Sequence, residues 1–172
     1  RIVENEDLVN MPNGLGLNFR IDDGDWFDLM SVQLLSYRQN LELKQGVLTR
    51  SVHYRDRRGR ESIVETRRLV HMGRKHLAAL ETRITAVNWA GRLQIRSSLD
   101  GTVVNDGVAR YSKLNNRHLD PLRSGTGEGS VPFLLVRTNQ SLLHVAQAAR
   151  TRLFTRNGEG GEERRSEITP GY

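Results

Sequence analysis

The sequence predicts an all-β fold, a two-layer antiparallel β-sandwich with little helix, and three observations predict it. Apolar residues recur at every second position along several segments of the 172-residue chain. Clusters of Gly, Asn and Asp separate those segments. No window carries apolar residues at the three-and-four spacing of a capped helix. A chain of this length buries about two thirds of its unfolded surface, enough for a core without staples.

The elements follow in order. From Leu15 the odd positions Leu15, Leu17, Phe19 and Ile21 are apolar while Gly16, Asn18 and Arg20 are small or polar. That is a strand, entered through the turn Pro12-Asn13-Gly14. Asp22-Asp23-Gly24-Asp25 supplies turn chemistry, so Trp26-Phe27 is expected to start the returning strand of a hairpin. Tyr37 to Leu43 and Leu48 to Tyr54 are two more strands, joined at Lys44-Gln45-Gly46. The next tip, Arg55-Asp56-Arg57-Arg58-Gly59-Arg60, is basic. Such a tip grips phosphate or keeps a sheet edge solvated, and the second reading is preferred.

Ser62 to His71 runs outward and Leu77 to Val87 returns, with Ala78, Leu80, Thr82, Ile84 and Ala86 against Glu81, Arg83 and Thr85. Asn88-Trp89-Ala90-Gly91 then turns the chain into Arg92 to Leu99, so Leu77 to Leu99 is expected to be one long hairpin. In its second arm Leu93, Ile95, Ser97 and Leu99 share one face, and Arg92, Gln94, Arg96 and Ser98 the other. Pro121 to Pro132 is rich in Gly and Ser and is expected to be a mobile loop. Phe133 to Thr138 and Leu142 to Ala149 form the next hairpin, around Asn139-Gln140. Residues 1–156 are read as the sandwich domain and 157–172, rich in Gly and Glu, as a flexible tail.

Charge and composition narrow the function. With 26 Lys and Arg against 20 Asp and Glu, the net charge is +6 and the isoelectric point near 10.3. The basic residues alternate with apolar ones along the strands, which reads as a solvated sheet face before a nucleic-acid stripe. No Cys is present, which excludes disulfides, thiolate metal sites and a Cys nucleophile and fits a reducing compartment. No signal peptide or apolar membrane span is evident, so the expected location is cytoplasmic, with no membrane and no nucleic-acid partner.

The polar stretch from Asp100 to Leu119 follows the strand without any apolar period, where a β-scaffold places recognition groups. His53, His71, His76, His118 and His144 lack metal-ligand spacing, and no hydrolase elbow or phosphate loop occurs. Asp100, Asp106 and Asp120 could supply the two carboxylates of a glycosidase, although Asp-Gly pairs are turn formers first. Asn105, Tyr111, Asn116, Arg117 and His118 offer amides, an aromatic face and fixed donors suited to vicinal hydroxyls. These five are the candidate substrate-rim residues. No catalytic, cofactor-binding or metal-binding residue is assigned.

Several stretches then resemble a known family. They include Leu8-Val9-Asn10-Met11-Pro12-Asn13, Phe19-Arg20-Ile21-Asp22 leading to Trp26-Phe27-Asp28-Leu29, Tyr37-Arg38-Gln39 through Gly46-Val47-Leu48-Thr49-Arg50, and His76-Leu77-Ala78-Ala79-Leu80-Glu81. With Ser97-Ser98-Leu99-Asp100-Gly101-Thr102-Val103-Val104-Asn105 and Arg117-His118-Leu119, they are similar to the N-terminal domain of glycoside hydrolase family 65. That is the family of maltose, trehalose and kojibiose phosphorylases and acid trehalases.

The resemblance implies a β-supersandwich that precedes a catalytic (α/α)6 barrel, which this chain lacks. It also implies inverting phosphorolysis of an α-glucosyl disaccharide, with inorganic phosphate as co-substrate and no other cofactor. The chain alone is then expected to be inactive, a scaffold packed on its own barrel and lending the Asn105 to His118 loop to the active-site rim or a dimer contact. A homodimer is expected because an uncovered sheet edge pairs readily with another copy. The alternatives are a free-standing carbohydrate-binding module and a basic nucleic-acid-binding β-domain.

Overall fold

The computed structural model describes residues 9–105, 116–155 and 158–159. Among them it is all-β: eleven strands, no α-helix, and two single 3-10 turns at Leu29–Ser31 and Glu128–Ser130. The chain divides into two compact units, Asn18–Ile95 and the remainder, Arg1–Leu17 with Arg96–Tyr172. Strands β1 (Asn13–Ile21) and β6 (Leu93–Asp100) pair with each other and run through the boundary between these ranges. Their contacts pair Arg20 with Gln94 and Gly16 with Ser98, a falling register that makes the pairing antiparallel.

In the first unit β2 (Gln33–Glu42), β3 (Val47–Arg55), β4 (Glu61–Val70) and β5 (Ala78–Ala86) form an antiparallel sheet in sequence order. The β2–β3 turn ends on Gly46, whose φ of 65° is strained for any residue with a Cβ. Register sets Val52 opposite Tyr37 and Val64, and Val64 opposite Ile84, so one face collects the core. Phe19, Val52, Tyr54 and Val64 are buried there, with Phe27, Leu29, Val32, Ile84, Leu93 and Ile95 packed against them. Phe27 stacks on Phe19 at 5.1 Å and meets Tyr54 at 4.8 Å. Ser62, fully buried, accepts a 2.9 Å hydrogen bond from the indole of Trp89.

Two expected hairpins are absent, for one reason. Trp26 and Phe27 start no returning strand, because the partner of β1 is β6. Asp22, at a φ of 53°, donates its N–H to the Arg92 carbonyl at 2.7 Å and accepts from the Arg92 N–H at 2.8 Å, closing that ladder. Phe27 is freed to serve as a core ring, tied back by its N–H to the Phe19 carbonyl at 2.8 Å. Likewise β5 pairs with β4 and not with β6. Asn88-Trp89-Ala90-Gly91 is therefore a link between sheets. Asn88 accepts from the Glu61 N–H at 2.7 Å and donates to the Gly59 carbonyl at 3.2 Å, anchoring that link to the base of the basic tip.

The second unit holds a three-stranded antiparallel sheet of β7 (Leu119–Thr126), β8 (Pro132–Thr138) and β9 (His144–Ala148). Its core is Leu119, Leu134 and Val136, joined by Leu99, Val103 and Val145. The first half of the expected mobile loop at Pro121 to Pro132 belongs to strand β7, with a bulge between Pro121 and Arg123. The bulge accommodates a proline that cannot donate to the ladder, which is why its sequence looked like loop. The β8–β9 hairpin around Asn139-Gln140 forms as expected. Strand β10 (Phe154–Thr155) pairs with β11 (Gly158–Glu159), which falls in the expected tail. The other residues of 157–172 lie outside the described residues.

Burial pushes the Tyr54 phenol above the ordinary tyrosine value; its hydrogen bond to Ser62 pulls it back, Asp56 adds to the rise and Arg60 opposes it. The unfolded tyrosine ionises first, near pH 10. Stability is then level below about pH 10 and falls as pH climbs from there through the folded-state value. Alkaline titration of the melting temperature is expected to show this fall in the native chain and a shallower one in Tyr54→Phe.

Candidate functional site

The expected rim residues flank a segment whose ends the fold brings together. The Asn105 N–H donates to the Asn116 carbonyl at 3.0 Å, so Asn105 and Asn116 meet. Asn10 fastens the departing side: its N–H reaches the Asn105 side-chain oxygen at 2.7 Å and its amide nitrogen donates to the Val104 carbonyl at 3.0 Å. His118 fastens the returning side. Its ring is 8% exposed, with Nε2 against the Asn10 carbonyl and Nδ1 3.2 Å from the Asn116 carbonyl. Asn139 completes the clamp, donating from its side chain to the Arg117 carbonyl and from its N–H to the His118 carbonyl, both at 3.0 Å.

This geometry sorts the five candidates. His118 is committed to the backbone of its own domain, an anchor for the segment. Asn105 shares that work through its side-chain oxygen. Asn116 and Arg117 are exposed beside the anchor. Tyr111 lies outside the described residues, as do Asp106 and Asn115. Asn10, which no sequence pattern marked, is the hub of the clamp; its only signal was a place among the stretches that carry the family resemblance.

The carboxylates are engaged locally. Asp100 accepts from the Thr102 N–H at 2.8 Å and its hydroxyl at 2.7 Å, a turn-forming contact. Asp120 pairs with Arg137 at 3.1 Å. Among the described residues no three His, Asp or Glu side chains gather as metal ligands do.

The basic tip is largely self-neutralised. Arg55 pairs with Glu61 at 2.6 Å and Arg60 with Asp56 at 2.7 Å and Asp22 at 3.3 Å, leaving Arg57 and Arg58 exposed at the turn. Burial opposes the Asp56 charge, but hydrogen bonds from the Arg60 backbone, the Arg60 side chain and the Arg58 backbone outweigh it and hold the carboxyl below its ordinary value. The Arg55 guanidinium holds Glu61 low against a burial penalty, helped by His53.

Comparison with known proteins gives this geometry a context. A family model described as glycosyl hydrolase family 65, N-terminal domain, matches residues 1–171. An uncharacterized glycosyl hydrolase of Mycobacterium tuberculosis strain H37Rv is 45% identical over 157 residues, 91% of this chain and 12% of that protein. An alpha,alpha-trehalose phosphorylase of Thermoanaerobacter brockii is 35% identical over 130 residues, covering 73% of this chain and 17% of its own length. A kojibiose phosphorylase of Halothermothrix orenii is 28% identical over 153 residues, 89% of this chain and 18% of its own length. The chain thus spans less than a fifth of the length of these curated relatives.

Replacing His118 by Ala is expected to destabilise the chain by about 1–3 kcal/mol, since a backbone carbonyl loses a buried donor. Thermal melts compared with an exposed control, Arg58→Ala, check this. The depressed Asp56 carboxyl gives stability that is present above the unfolded aspartate value, near pH 4, and lost as pH falls through the folded value. Asp56→Asn is expected to flatten that acid limb in melts recorded from pH 7 downward.

Proposed function

The chain belongs to the N-terminal domain of glycosyl hydrolase family 65, and on that premise we propose that it is the non-catalytic β-sandwich domain of a larger enzyme. The substrates of that enzyme are α-glucosyl disaccharides of the maltose, trehalose or kojibiose type. Two of the relatives are named for phosphorolysis of trehalose and kojibiose, and inorganic phosphate is then the co-substrate. The chemistry resides in the portion of the enzyme beyond this domain, a catalytic barrel on which the sandwich packs. The engaged state of Asp100 and Asp120 supports that division of labour.

One observation carries the role given to this domain. The clamp of Asn10, Asn105, His118 and Asn139 holds the base of the 105–118 segment while leaving Asn116 and Arg117 exposed. A recognition segment needs such a rigid base, because ordering it on binding would otherwise subtract from affinity. Asn116, Arg117 and Tyr111 are the groups of that segment offered to the rim of the disaccharide site or to the second subunit of a homodimer. The self-neutralised basic tip argues against the nucleic-acid alternative.

In the complete enzyme, Arg117→Ala is expected to raise the disaccharide KM about tenfold with kcat nearly kept, as loss of one charged hydrogen bond does. If the segment serves the dimer, the same variant shifts the dimer to monomer in sedimentation at equal concentration. Unchanged KM, kcat and assembly would remove the segment from both roles.

A further inference from the structure

The outer face of the β2–β5 sheet, opposite the core of the first unit, carries a trough of about 530 Å³. Strand register arranges its walls in two rows. Arg38, Ser51, Glu65 and Arg83 stand side by side across the four strands, and Asn40, Thr49, Arg67 and Glu81 form the next row. Each row places a carboxylate directly beside a guanidinium, so charge alternates across the surface. Glu81 holds Arg67 at 3.3 Å and Arg83 at 3.9 Å, fixing three long side chains in one arrangement. Arg38, on strand β2, and Glu65, beside Arg83 in register, have no ion-pair partner among the described residues.

We infer that this trough is a binding site for an uncharged polyhydroxylated ligand, a mono- or disaccharide, separate from the 105–118 segment. The chemistry of the walls selects that class. A phosphate, a sugar phosphate or a nucleic acid would meet the carboxylates of Glu65 and Glu81, and a cation would meet the four arginines Arg38, Arg50, Arg67 and Arg83. An apolar ligand would strip water from the charged groups without replacing it. A sugar hydroxyl donates and accepts, so vicinal hydroxyls satisfy a guanidinium fork and a carboxylate at the same time. Asn40, Thr49 and Ser51 add neutral groups of both kinds between the charges. The volume falls within the range of about 300–1,000 Å³ typical of small-ligand clefts.

The test is an amide-resolved NMR titration of the full chain with maltose, trehalose, kojibiose and glucose in turn, and with inorganic phosphate as the anionic probe. The expected result is saturable shifts confined to residues 38–40, 49–51, 65–67 and 81–83 with at least one sugar, with a dissociation constant on the order of 1 mM. Arg38→Ala and Glu65→Ala each remove a side chain without an ion-pair partner, and each is expected to weaken that binding at least fivefold while the melting temperature holds. No saturable shift in the trough with any of the four sugars overturns the inference. So do phosphate shifts there in place of sugar shifts, and sugar binding that both variants leave intact. None of these outcomes touches the role of Arg117, which is read in the complete enzyme by KM and assembly.

Discussion

The pairing of β1 with β6 is the constraint from which the rest of the structure follows. Strand β6 supplies Leu93 and Ile95 to the core of one unit and Leu99 to the core of the other, because residues two apart lie on one face of a strand. Its ladder with β1 is closed by Asp22, whose backbone and carboxylate both engage Arg92. A Cβ at Gly91 would fall 2.8 Å from Asp22 Oδ1, so a larger residue there would displace the carboxylate that engages Arg92. Farther along, a Cβ at Gly16 would fall 2.9 Å from the Ser98 carbonyl, so the small residues of β1 reflect the closeness of its partner.

Once β1 and β6 are joined, the neighbouring strands have few choices. The sheet of β2 to β5 forms from consecutive hairpins, and its apolar face must close over Phe19, Leu93 and Ile95. Phe27 completes that core as a ring stacked on Phe19 and tilted against Tyr54, an arrangement favoured by aromatic quadrupoles. The opposite face is then left to polar residues. The same alternation that buries Val52 and Val64 presents Ser51 and Glu65 outward, so the trough is a direct consequence of register.

The segment around His118 obeys a different rule. A buried imidazole needs a partner for its N–H, and backbone carbonyls of Asn10 and Asn116 stand beside its two nitrogens. The contact with Asn10, together with the bonds from Asn10 to Val104 and Asn105, draws three stretches of chain to one point. This clamp gives a polar segment a fixed base without a disulfide, since the chain has no Cys.

Alternation and turn residues were enough by themselves to establish the all-β class, most strand positions, and the hairpins at Gly46 and Asn139. These are local properties: period-two apolar spacing and positive-φ turns are written in adjacent residues. The resemblance carried by Asn10 through His118 also disclosed the family. What only the tertiary structure decided was partnership. Trp26-Phe27 and Leu77 to Leu99 looked like hairpins because consecutive strands with a turn between them usually pair. The choice of β6 as partner for β1 depends on contacts between residues some 70 positions apart, such as Asp22 and Arg92. Strand β7 was hidden for a related reason, since its Gly and Ser read as loop and a bulge lets Pro121 sit in a ladder to which it cannot donate. The roles of Asn10 and His118, and the alignment of Arg38, Glu65 and Arg83 into one row, likewise exist only after pairing. Side chains far apart in sequence acquire chemistry in common when register sets them side by side.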